Sequence, residues 1–441
     1  MTTADAATDY RDPSMEQTAA GLSTTHGITG DLRLSPRETE VLRRLAGKVA
    51  ELAARPQEEE KKALWYRLND LEETRPLVFC DPENGWNEII TQDQILCERP
   101  LFRVWEMHLR KEVFWGEEMG DDRVVEPYFN VPYNYQDTGW GLHEQNIGGQ
   151  NGGSYVWESP IKDYEQDFAS LRYPEILVDY DMTAKIVALA EEVFGDLLQV
   201  RLRGIWWWSL GMTWDFIKLR GLENFMLDMY DRPKWVHRLM GFLRDGTLRK
   251  IEFLEGNGLL ALNIGGTYVG SGGFGWTWQL PAPGFDPHRV RTLDMWGFAE
   301  SQETVGVSPA MFEEFVFPYQ KPILERFGLN CYGCCEPIDP RWHVVKMFPR
   351  LRRVSTSPWA DRSKMRELLG RDYVMSLKPS PSPLAAPVLD EDETRREIRK
   401  DLQTTKGCQV ELIMKDNHTI GGNPENVKAW CRIAREEAES L

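Results

Sequence analysis

Short apolar segments alternate with longer amphipathic ones over most of the chain, and this alternation constrains the fold more than any other feature. Nine of the apolar segments are candidate strands. They are Pro76–Cys80, Val124–Phe129, Leu198–Ile205, Leu259–Ile264, Met295–Ala299, Gly328–Tyr332, Arg352–Thr356, Asp372–Leu377 and Gln409–Met414. Apolar strands separated by helices are typical of a parallel sheet with both faces covered. The pattern therefore predicts an α/β protein.

The number of candidate strands favours a (β/α)8 TIM barrel. Nine candidates exceed the eight strands of such a barrel, so Leu259–Ile264 and Met295–Ala299 are interpreted as two pieces of one strand region. The Gly/Trp-rich segment between them, about residues 265–294, is too long for an ordinary connection and predicts a lid or binding loop. The runner-up fold is an open doubly wound sheet, which is disfavoured because no G-x-G-x-x-G motif follows the first strand.

The N-terminal part of the chain is expected to lie outside the barrel. Residues 1–34 lack periodicity and predict a flexible tail. Residues 35–75 predict a helical extension, in which Ser35 caps the first helix, Pro36 opens it and Glu38 completes a capping box. The barrel then spans residues 76–441.

Composition excludes several classes of function. The net charge of −17 argues against nucleic acid and anionic membrane surfaces as partners. No apolar run is long enough to span a membrane, and the N-terminus lacks the pattern of a signal peptide. The chain has seven cysteines, of which Cys331, Cys334 and Cys335 form a cluster, and they do not suggest a disulfide framework. We therefore expect a cytoplasmic enzyme acting on a small molecule.

In a (β/α)8 barrel, functional groups lie where strands end and loops begin. Titratable residues accumulate at the predicted strand ends, and four of them are candidate catalytic groups: Glu303, Tyr332, Lys378 and Asp416. The cysteine cluster gives the sharpest local signal, because thiolates bind borderline metals such as zinc. The candidate metal ligands are Cys334, Cys335, Glu336 and His418. An inert turn and a redox pair remain alternatives for the two cysteines.

Tryptophans are frequent beyond the predicted strands, and together they suit a flat aromatic ligand or a methylated cation. Packing in the core is the alternative for each of them. The candidate substrate-binding residues are Trp206, Trp207, Trp208, Trp276, Trp278, Trp359, Tyr128 and Asn130.

The stretch SQETVGVSPAMFEEFVFPYQKPILERFGLNCYGCCEP resembles the uroporphyrinogen decarboxylase-like superfamily, in which a strand, an S-P-x-x-F-x-E-F helix and a Gly/Cys-containing strand end follow in order. The later segments LKPSPSPLA and ELIMKDNHT are similar to the same group. The resemblance covers roughly residues 70–441 and is strongest from Met295 onward. It implies a TIM barrel in an uncharacterised branch related to zinc-dependent, corrinoid-linked methyltransferases.

The methyltransferases of this superfamily carry a His-x-Cys pair after the fifth strand and a third ligand, Cys, after the eighth. Here these positions correspond to Tyr332, Cys334 and the region of His418, with Glu303, Glu336 or Cys335 as a further donor. The decarboxylases carry an Arg pair and an Asp near the first two strands, whereas this chain offers Asp81 and Glu83.

The resemblance implies a methyltransferase that moves a methyl group between a small substrate, of the aromatic methyl ether or methylamine type, and a corrinoid or thiol acceptor. Zinc, a corrinoid protein as partner and a homodimer are also implied. Two alternatives stay open. One is a metal-free decarboxylase or lyase that uses Lys378, Lys415 or His418 with Tyr332 as proton donor. The other is a non-catalytic binder of a corrinoid or tetrapyrrole.

Overall fold

The computed structural model describes residues 32–148 and 155–441. The predicted flexible tail, residues 1–34, falls almost entirely outside these ranges. The strands within them are β1 (Leu77–Cys80), β2 (Tyr128–Val131), β3 (Tyr135–Asp137), β4 (Gln145–Gly148), β5 (Tyr155–Glu158), β6 (Ile176–Val178), β7 (Gln199–Leu202), β8 (Trp296–Ala299), β9 (Leu329–Tyr332), β10 (Leu351–Thr356), β11 (Val374–Leu377) and β12 (Gln409–Met414).

A six-stranded parallel sheet forms the centre of the protein, in the spatial order β1-β12-β11-β10-β9-β8. Strands β2 and β7 form a separate parallel pair. Strand β12 is buried at all six positions, as expected for a strand covered on both faces. The predicted α/β architecture with a parallel sheet is confirmed. The parallel ladders among the described residues form an open six-stranded sheet and the β2–β7 pair, so closure into one barrel stays a prediction.

Fifteen α-helices accompany these strands in the described ranges. They are α1 (Pro36–Ala53), α2 (Pro56–Asn69), α3 (Trp86–Ile89), α4 (Pro100–Phe114), α5 (Tyr164–Asp167), α6 (Tyr180–Phe194), α7 (Thr213–Arg220), α8 (Leu222–Asp231), α9 (Pro233–Gly256), α10 (Pro309–Phe315), α11 (Phe317–Leu324), α12 (Trp342–Val345), α13 (Arg362–Leu369), α14 (Glu391–Thr404) and α15 (Glu425–Glu439). None of them is long and apolar enough to cross a membrane.

The helical extension before β1 begins as its sequence predicts. The Ser35 hydroxyl accepts a hydrogen bond from the Glu38 amide at 3.2 Å, and the Glu38 carboxylate accepts one from the Ser35 amide at 2.9 Å. This reciprocal capping box satisfies backbone donors that the first turn of α1 would otherwise leave unpaired.

Two predicted strand assignments need correction, and two strand pairs were missed. Segment Leu259–Ile264 forms no ladder, because its carbonyl groups accept bonds from side chains: Trp206 Nε1 donates to the Leu259 carbonyl at 3.0 Å. The second predicted strand, Val124–Phe129, starts instead at Tyr128, directly after Pro127, which has no N–H for a ladder. The antiparallel pairs β3–β6 and β4–β5 were not predicted, since they are short and partly exposed.

The first part of the Gly/Trp-rich segment lies against the inner face of the six-stranded sheet. Residues 268–274, which we call the inner hairpin, are joined by a bridge between Tyr268 and Phe274 and are buried. The Ser271 hydroxyl at its tip donates to the Gly333 carbonyl at 3.0 Å. At its base, Asn69 Nδ2 donates to the Phe274 carbonyl at 2.8 Å. The hairpin thus reaches from α2 to the carboxyl end of β9.

Candidate active site

The carboxyl ends of the strands in the six-stranded sheet meet at one edge, because all of these strands are parallel. Polar residues follow all six strands at this edge. They are Glu300 and Glu303 after β8, Cys334, Cys335 and Glu336 after β9, Ser357 after β10, Lys378 after β11, Lys415 and Asp416 after β12, and Asp81 and Glu83 after β1. The strand-end rule of parallel α/β proteins makes this edge the first place to look for a site.

Three buried carboxyl groups, those of Glu300, Glu303 and Glu336, lie together at the ends of β8 and β9. Burial, together with the neighbouring carboxylates of Glu303 and Glu336, raises the pKa of Glu300 well above its usual value. Burial also raises the pKa of Glu303 and that of Glu336. A raised pKa favours the protonated form of these carboxyl groups, which is the form that a general acid requires.

Each member of the cluster is held by hydrogen bonds that come in part from the neighbouring loops. Glu336 accepts from the backbone amides of Ser301, at 2.8 Å, and Cys334, at 2.9 Å. Glu303 accepts from the Thr213 hydroxyl at 2.6 Å. Glu300 accepts from the Ser209 hydroxyl and the Gln302 amide, both at 3.0 Å. These bonds fix the direction of every carboxyl group.

Tyr332 is buried behind this cluster. Its hydroxyl donates to Gln320 Oε1 at 2.9 Å and lies 3.1 Å from the Ser301 hydroxyl. Gln320 Nε2 in turn donates to the carbonyls of Gly211 and Glu300, at 2.7 and 2.8 Å. Tyr332 therefore fixes the loop that carries Glu300. Its predicted role as a proton donor would have to act through the Ser301 hydroxyl.

The cysteine pair after β9 is not a disulfide, since the two Sγ atoms are 3.8 Å apart. Contact with the Cys335 thiol, together with burial, raises the pKa of the Cys334 thiol well above its usual value. Cys335 Sγ lies 3.9 Å from Asp416 Oδ2. His418, in contrast, is exposed on the loop after β12.

The four predicted metal ligands do not come together as a metal site. In residues 32–148 and 155–441, no three His, Cys, Asp or Glu side chains are grouped so that they could hold a metal ion. Both carboxylate oxygens of Glu336 accept backbone amides, and His418 is exposed to solvent. The donor set, as it is arranged here, does not fit zinc.

Two buried lysines lie at the ends of neighbouring strands. Burial lowers the pKa of Lys378, which follows β11, to about 8. Its Nζ donates to the Ser376 hydroxyl at 2.9 Å. Burial alone would lower the pKa of Lys415, but the groups around it, Cys334 and Asp416 among them, raise it well above its usual value. Lys415 Nζ lies 3.4 Å from Asp416 Oδ1, so this lysine stays charged.

Further polar atoms at this edge are buried without a hydrogen-bond partner in the described part of the chain. They are Asp81 Oδ2, Tyr268 Oη, Thr356 Oγ1, Ser357 Oγ and Asn417 Oδ1. An unpaired buried polar atom costs about 1–3 kcal/mol. These atoms are therefore available to a bound molecule or to water at the mouth of the site.

A cavity of about 280 Å³ opens beside the carboxyl cluster, in the loop that follows β7. Its aromatic wall contains three of the residues that the sequence analysis proposed for substrate, Trp206, Trp207 and Trp208. Glu300 lines the same cavity and is the member of the cluster that reaches it. The remaining lining residues include Tyr135, Asp137, Trp214, Asp215 and Lys250.

The other predicted substrate residues lie elsewhere. Trp278 and Trp359 are 75% and 80% exposed, and Trp278 stacks on Tyr66 outside the cavity. Trp276 is buried beside the inner hairpin, where its carbonyl accepts a bond from Asn69 at 2.7 Å. The structure therefore does not gather these three indoles around one ligand, because the segment that carries two of them runs along the sheet.

Tyr128 and Asn130 on β2 are engaged by one arginine. The Arg201 guanidinium lies 3.4 Å from the centre of the Tyr128 ring, and its Nε donates to Asn130 Oδ1 at 3.0 Å. Neither residue lines the Trp cavity. The register of β2 with β7 explains this pairing, since Asn130 and Arg201 are direct partners.

Glu300 and Asp215 are two of the cavity residues that the sequence analysis did not propose as site residues. Glu300 directly follows β8, so the strand-end rule could have found it ahead of Glu303. Asp215 lies in the first turn of α7, in the segment that follows the predicted strand Leu198–Ile205. Its only sequence signal is its closeness to Trp206, Trp207, Trp208 and Trp214.

The fold of this chain is similar to that of a solved methyltransferase from Methanosarcina mazei. The similarity covers 85% of this chain and 98% of the other, with a TM-score of 0.50 and 12% sequence identity. No protein-family model matches the chain, and no curated protein matches it. At so low an identity the similarity establishes a shared α/β fold.

Proposed function

We propose that this protein is a methyltransferase that takes a methyl group from a small methylated substrate bound in the Trp-lined cavity. The observation that carries the proposal is the contact between this cavity and Glu300, a buried carboxyl group at the end of β8. The similarity in fold to a solved methyltransferase supports it. The proposal includes a TIM barrel of the uroporphyrinogen decarboxylase-like type, with the six-stranded sheet and the β2–β7 pair as parts of one wall.

The residues of the cavity supply binding and charge control. The indoles of Trp207 and Trp208 are half-buried and can cover an apolar or cationic methylated group. Glu300 faces the atom that loses its methyl group. If that atom is oxygen, the Glu300 carboxyl donates its proton to the departing alcohol, whereas an ammonium substrate would use the carboxylate as counter-ion.

The methyl acceptor is a nucleophile whose electron pair forms the new bond to the methyl carbon. A corrinoid on a partner protein or a thiol can act in this way. Zinc and the corrinoid stay predictions from the resemblance. The proposed transfer does not use zinc, because the donors Cys334, Glu336 and His418 in the described part of the chain are not arranged to hold it.

A decarboxylase or lyase is the second candidate, and it is favoured by the two buried lysines. Lys378 and Lys415 could bind a substrate carboxylate and stabilise the negative charge that develops on loss of carbon dioxide. The pKa of Lys378 at about 8 lets this residue exchange a proton near neutral pH.

The decisive experiment measures methyl transfer to free cob(I)alamin from a panel of methyl ethers and methylated amines. We expect methylcobalamin to form with at least one donor. Glu300→Gln should lower the rate roughly 100-fold, as is typical for loss of a general acid or an oriented charge. Glu313→Gln, which changes an exposed glutamate of α10, is the matched control and should keep the parental rate.

The lyase would be supported, and the methyltransferase contradicted, if the protein released carbon dioxide from a carboxylated substrate and transferred no methyl group. That release of carbon dioxide should be lost in Lys378→Met. Tight ligand binding without turnover in either assay would instead indicate a binding protein.

A further inference from the structure

The two cysteines after β9 form a pair of thiols that the proposed transfer does not use. Cys334 and Cys335 are adjacent in sequence, and their Sγ atoms lie 3.8 Å apart. Cys334 is buried, whereas Cys335 is partly exposed. Among the seven cysteines, all within the described ranges, the other partly exposed one is Cys408, whose thiol lies 3.9 Å from the Arg366 carbonyl oxygen. The pair therefore presents one thiol to solvent and holds a second one in contact with it.

Charged groups of the neighbouring strand end lie beside the pair. Cys335 Sγ lies 3.9 Å from Asp416 Oδ2, so this carboxylate can accept the thiol proton. Lys415 interacts electrostatically with Cys334, which is among the groups that raise the pKa of the lysine. A neighbouring ammonium group stabilises a thiolate. The two thiols thus have a proton acceptor and a cation within reach.

Cys334 is kept protonated first of all by Cys335. Contact with Cys335 is the largest cause that raises the pKa of the Cys334 thiol, burial is the next, and Lys415 acts in the opposite direction. A disulfide bond on Cys335 Sγ replaces its thiol hydrogen and so removes this contact. Cys334 is then easier to deprotonate and lies beside a sulfur atom that it can attack.

A disulfide between these two residues would be strained. The Cα atoms of consecutive residues are about 3.8 Å apart across a trans peptide, whereas those of ordinary disulfides are about 4.4–6.8 Å apart. Strain makes a disulfide easier to reduce, and easily reduced disulfides are the labile and regulatory ones. The pair therefore suits a bond that forms and breaks and does not suit a permanent cross-link.

We propose that Cys334 and Cys335 are a modification site, at which a low-molecular-weight disulfide such as oxidised glutathione converts the two thiols into a vicinal disulfide. Cys335 Sγ attacks one sulfur of the reagent, whose S–S bond breaks, and one thiolate leaves. Cys334 Sγ then attacks Cys335 Sγ, and the second thiolate leaves. The two cysteine protons pass to the leaving thiolates, so the pair is oxidised and the reagent is reduced to two thiols. This inference does not depend on the proposed methyl transfer.

Hydrogen bonds of the loop connect this pair to the carboxyl cluster. The Cys334 amide donates to Glu336 at 2.9 Å, and the Cys334 carbonyl accepts the Ser355 hydroxyl at 2.8 Å. Closing the disulfide brings the two Sγ atoms from 3.8 Å to about 2.0 Å and turns the peptide between them. We therefore expect the bonds that Glu336 accepts from Cys334 and Ser301 to weaken on oxidation.

Peptide mass spectrometry of the full-length protein after incubation with oxidised glutathione tests the site. We expect the peptide that carries both cysteines to lose two hydrogen atoms and to regain them with dithiothreitol. Cys334→Ser should stop the reaction with one glutathione on Cys335, because the thiol that would displace it is missing. Cys335→Ser should form no disulfide, since the remaining Cys334 thiol is buried. Cys408→Ser is the matched control and should form the vicinal disulfide as the parent protein does.

Two further measurements do not depend on trapping an intermediate. Phenylarsine oxide bonds to two neighbouring thiols through its arsenic, so the parent protein should bind it at least about 100-fold more tightly than Cys334→Ser or Cys335→Ser. In the oxidised parent protein, hydrogen exchange of the Ser301 amide should be at least about 10-fold faster, because its bond to Glu336 is weakened.

The outcomes are distinct from those of the methyl-transfer assay. Glutathione that stays on Cys335 of the parent protein, no reaction at either cysteine, or equal arsenical binding by the parent and Cys334→Ser would overturn the dithiol site. Unchanged exchange at Ser301 after oxidation would overturn its connection to the carboxyl cluster.

Discussion

Asp121 is a fully buried carboxyl group just before the β2 segment, and it links the stability of the fold to pH. Its two oxygens accept the backbone amides of Cys80 and Arg123, each at 3.1 Å. Burial nevertheless raises the pKa of Asp121 to about 7. A carboxyl group with a raised pKa favours folding most at low pH, where it is protonated, and this contribution is lost as the pH rises from about 4 to about 7.

The stability of the Asp121→Asn variant relative to the parent protein should therefore change as the pH rises. The amide is uncharged at every pH, so the difference in free energy of unfolding should shift in favour of the variant by up to about 4 kcal/mol between pH 4 and pH 8. Urea unfolding at several pH values measures this difference. Asp181→Asn, an exposed position in the first turn of α6, is the control. A difference that does not vary with pH would contradict the prediction.

The sequence could locate the residues of the site only to within a few positions. Four of the predicted site residues do follow strands: Glu303, Cys334, Lys378 and Asp416. Their positions after a strand can be read directly from the sequence once the strand is recognised. The directions of their side chains depend on loop geometry that has no sequence signature. Asp416 adopts a positive φ of 62°, so the chain turns sharply before His418, which ends up exposed.

At the scale of elements, the inner hairpin depends on glycine. Gly273 has a φ of +75°, and a Cβ atom there would lie 2.2 Å from Glu411 Oε2. Glu411 is itself buried and paired with Arg353 at 3.2 Å, so it cannot move aside without breaking that pair. Gly273→Ala should therefore lower the free energy of unfolding by about 3 kcal/mol or more, from backbone strain and overpacking together.

Gly256→Ala is the matched control for this prediction. Gly256 ends α9, and a Cβ atom there would meet nothing within 4 Å. Alanine should leave stability unchanged or raise it by up to about 1 kcal/mol, because it restricts the unfolded chain. Thermal and urea unfolding of both variants measure these changes in the free energy of unfolding. If Gly273→Ala were as stable as Gly256→Ala, the inner hairpin could not be packed as described.

Helices were easier to predict than strands. The sequence indicates a 24-residue helix over PKWVHRLMGFLRDGTLRKIEFLEG, and α9 has these bounds, because its apolar positions repeat with the helical period. The apolar run Leu259–Ile264 has the composition of a strand but forms no ladder. Whether such a run pairs depends on neighbours distant in sequence, here the side chains of Arg203 and Trp206.

At the scale of the whole molecule, side chains join the six-stranded sheet to the segments beside it. At one margin, Val78 of β1 donates its amide to Asp122 Oδ2 and accepts the Asp122 amide at its carbonyl, both at 2.8 Å. At the other margin, Asn263 exchanges two bonds with Trp296 of β8. The sequence does not show which margins of the sheet use side chains in place of a ladder.

Asn263 tests whether a side chain holds the segment before the inner hairpin against strand β8. Its Oδ1 accepts the Trp296 amide and its Nδ2 donates to the Trp296 carbonyl, each at 2.9 Å, so its side chain replaces a neighbouring strand. Asn263→Ala leaves both groups of a buried strand unpaired and should lower the free energy of unfolding by about 2–3 kcal/mol.

Hydrogen exchange shows whether that loss is local to this margin. The Trp296 amide should exchange faster in Asn263→Ala, while amides of β11, in the middle of the sheet, keep their protection relative to global unfolding. Asn257→Ala, an exposed asparagine whose amide bonds only to the Phe253 carbonyl of its own helix, should cost less than about 1 kcal/mol. Unchanged exchange at Trp296 would mean that the segment before the inner hairpin does not take the place of a strand beside β8.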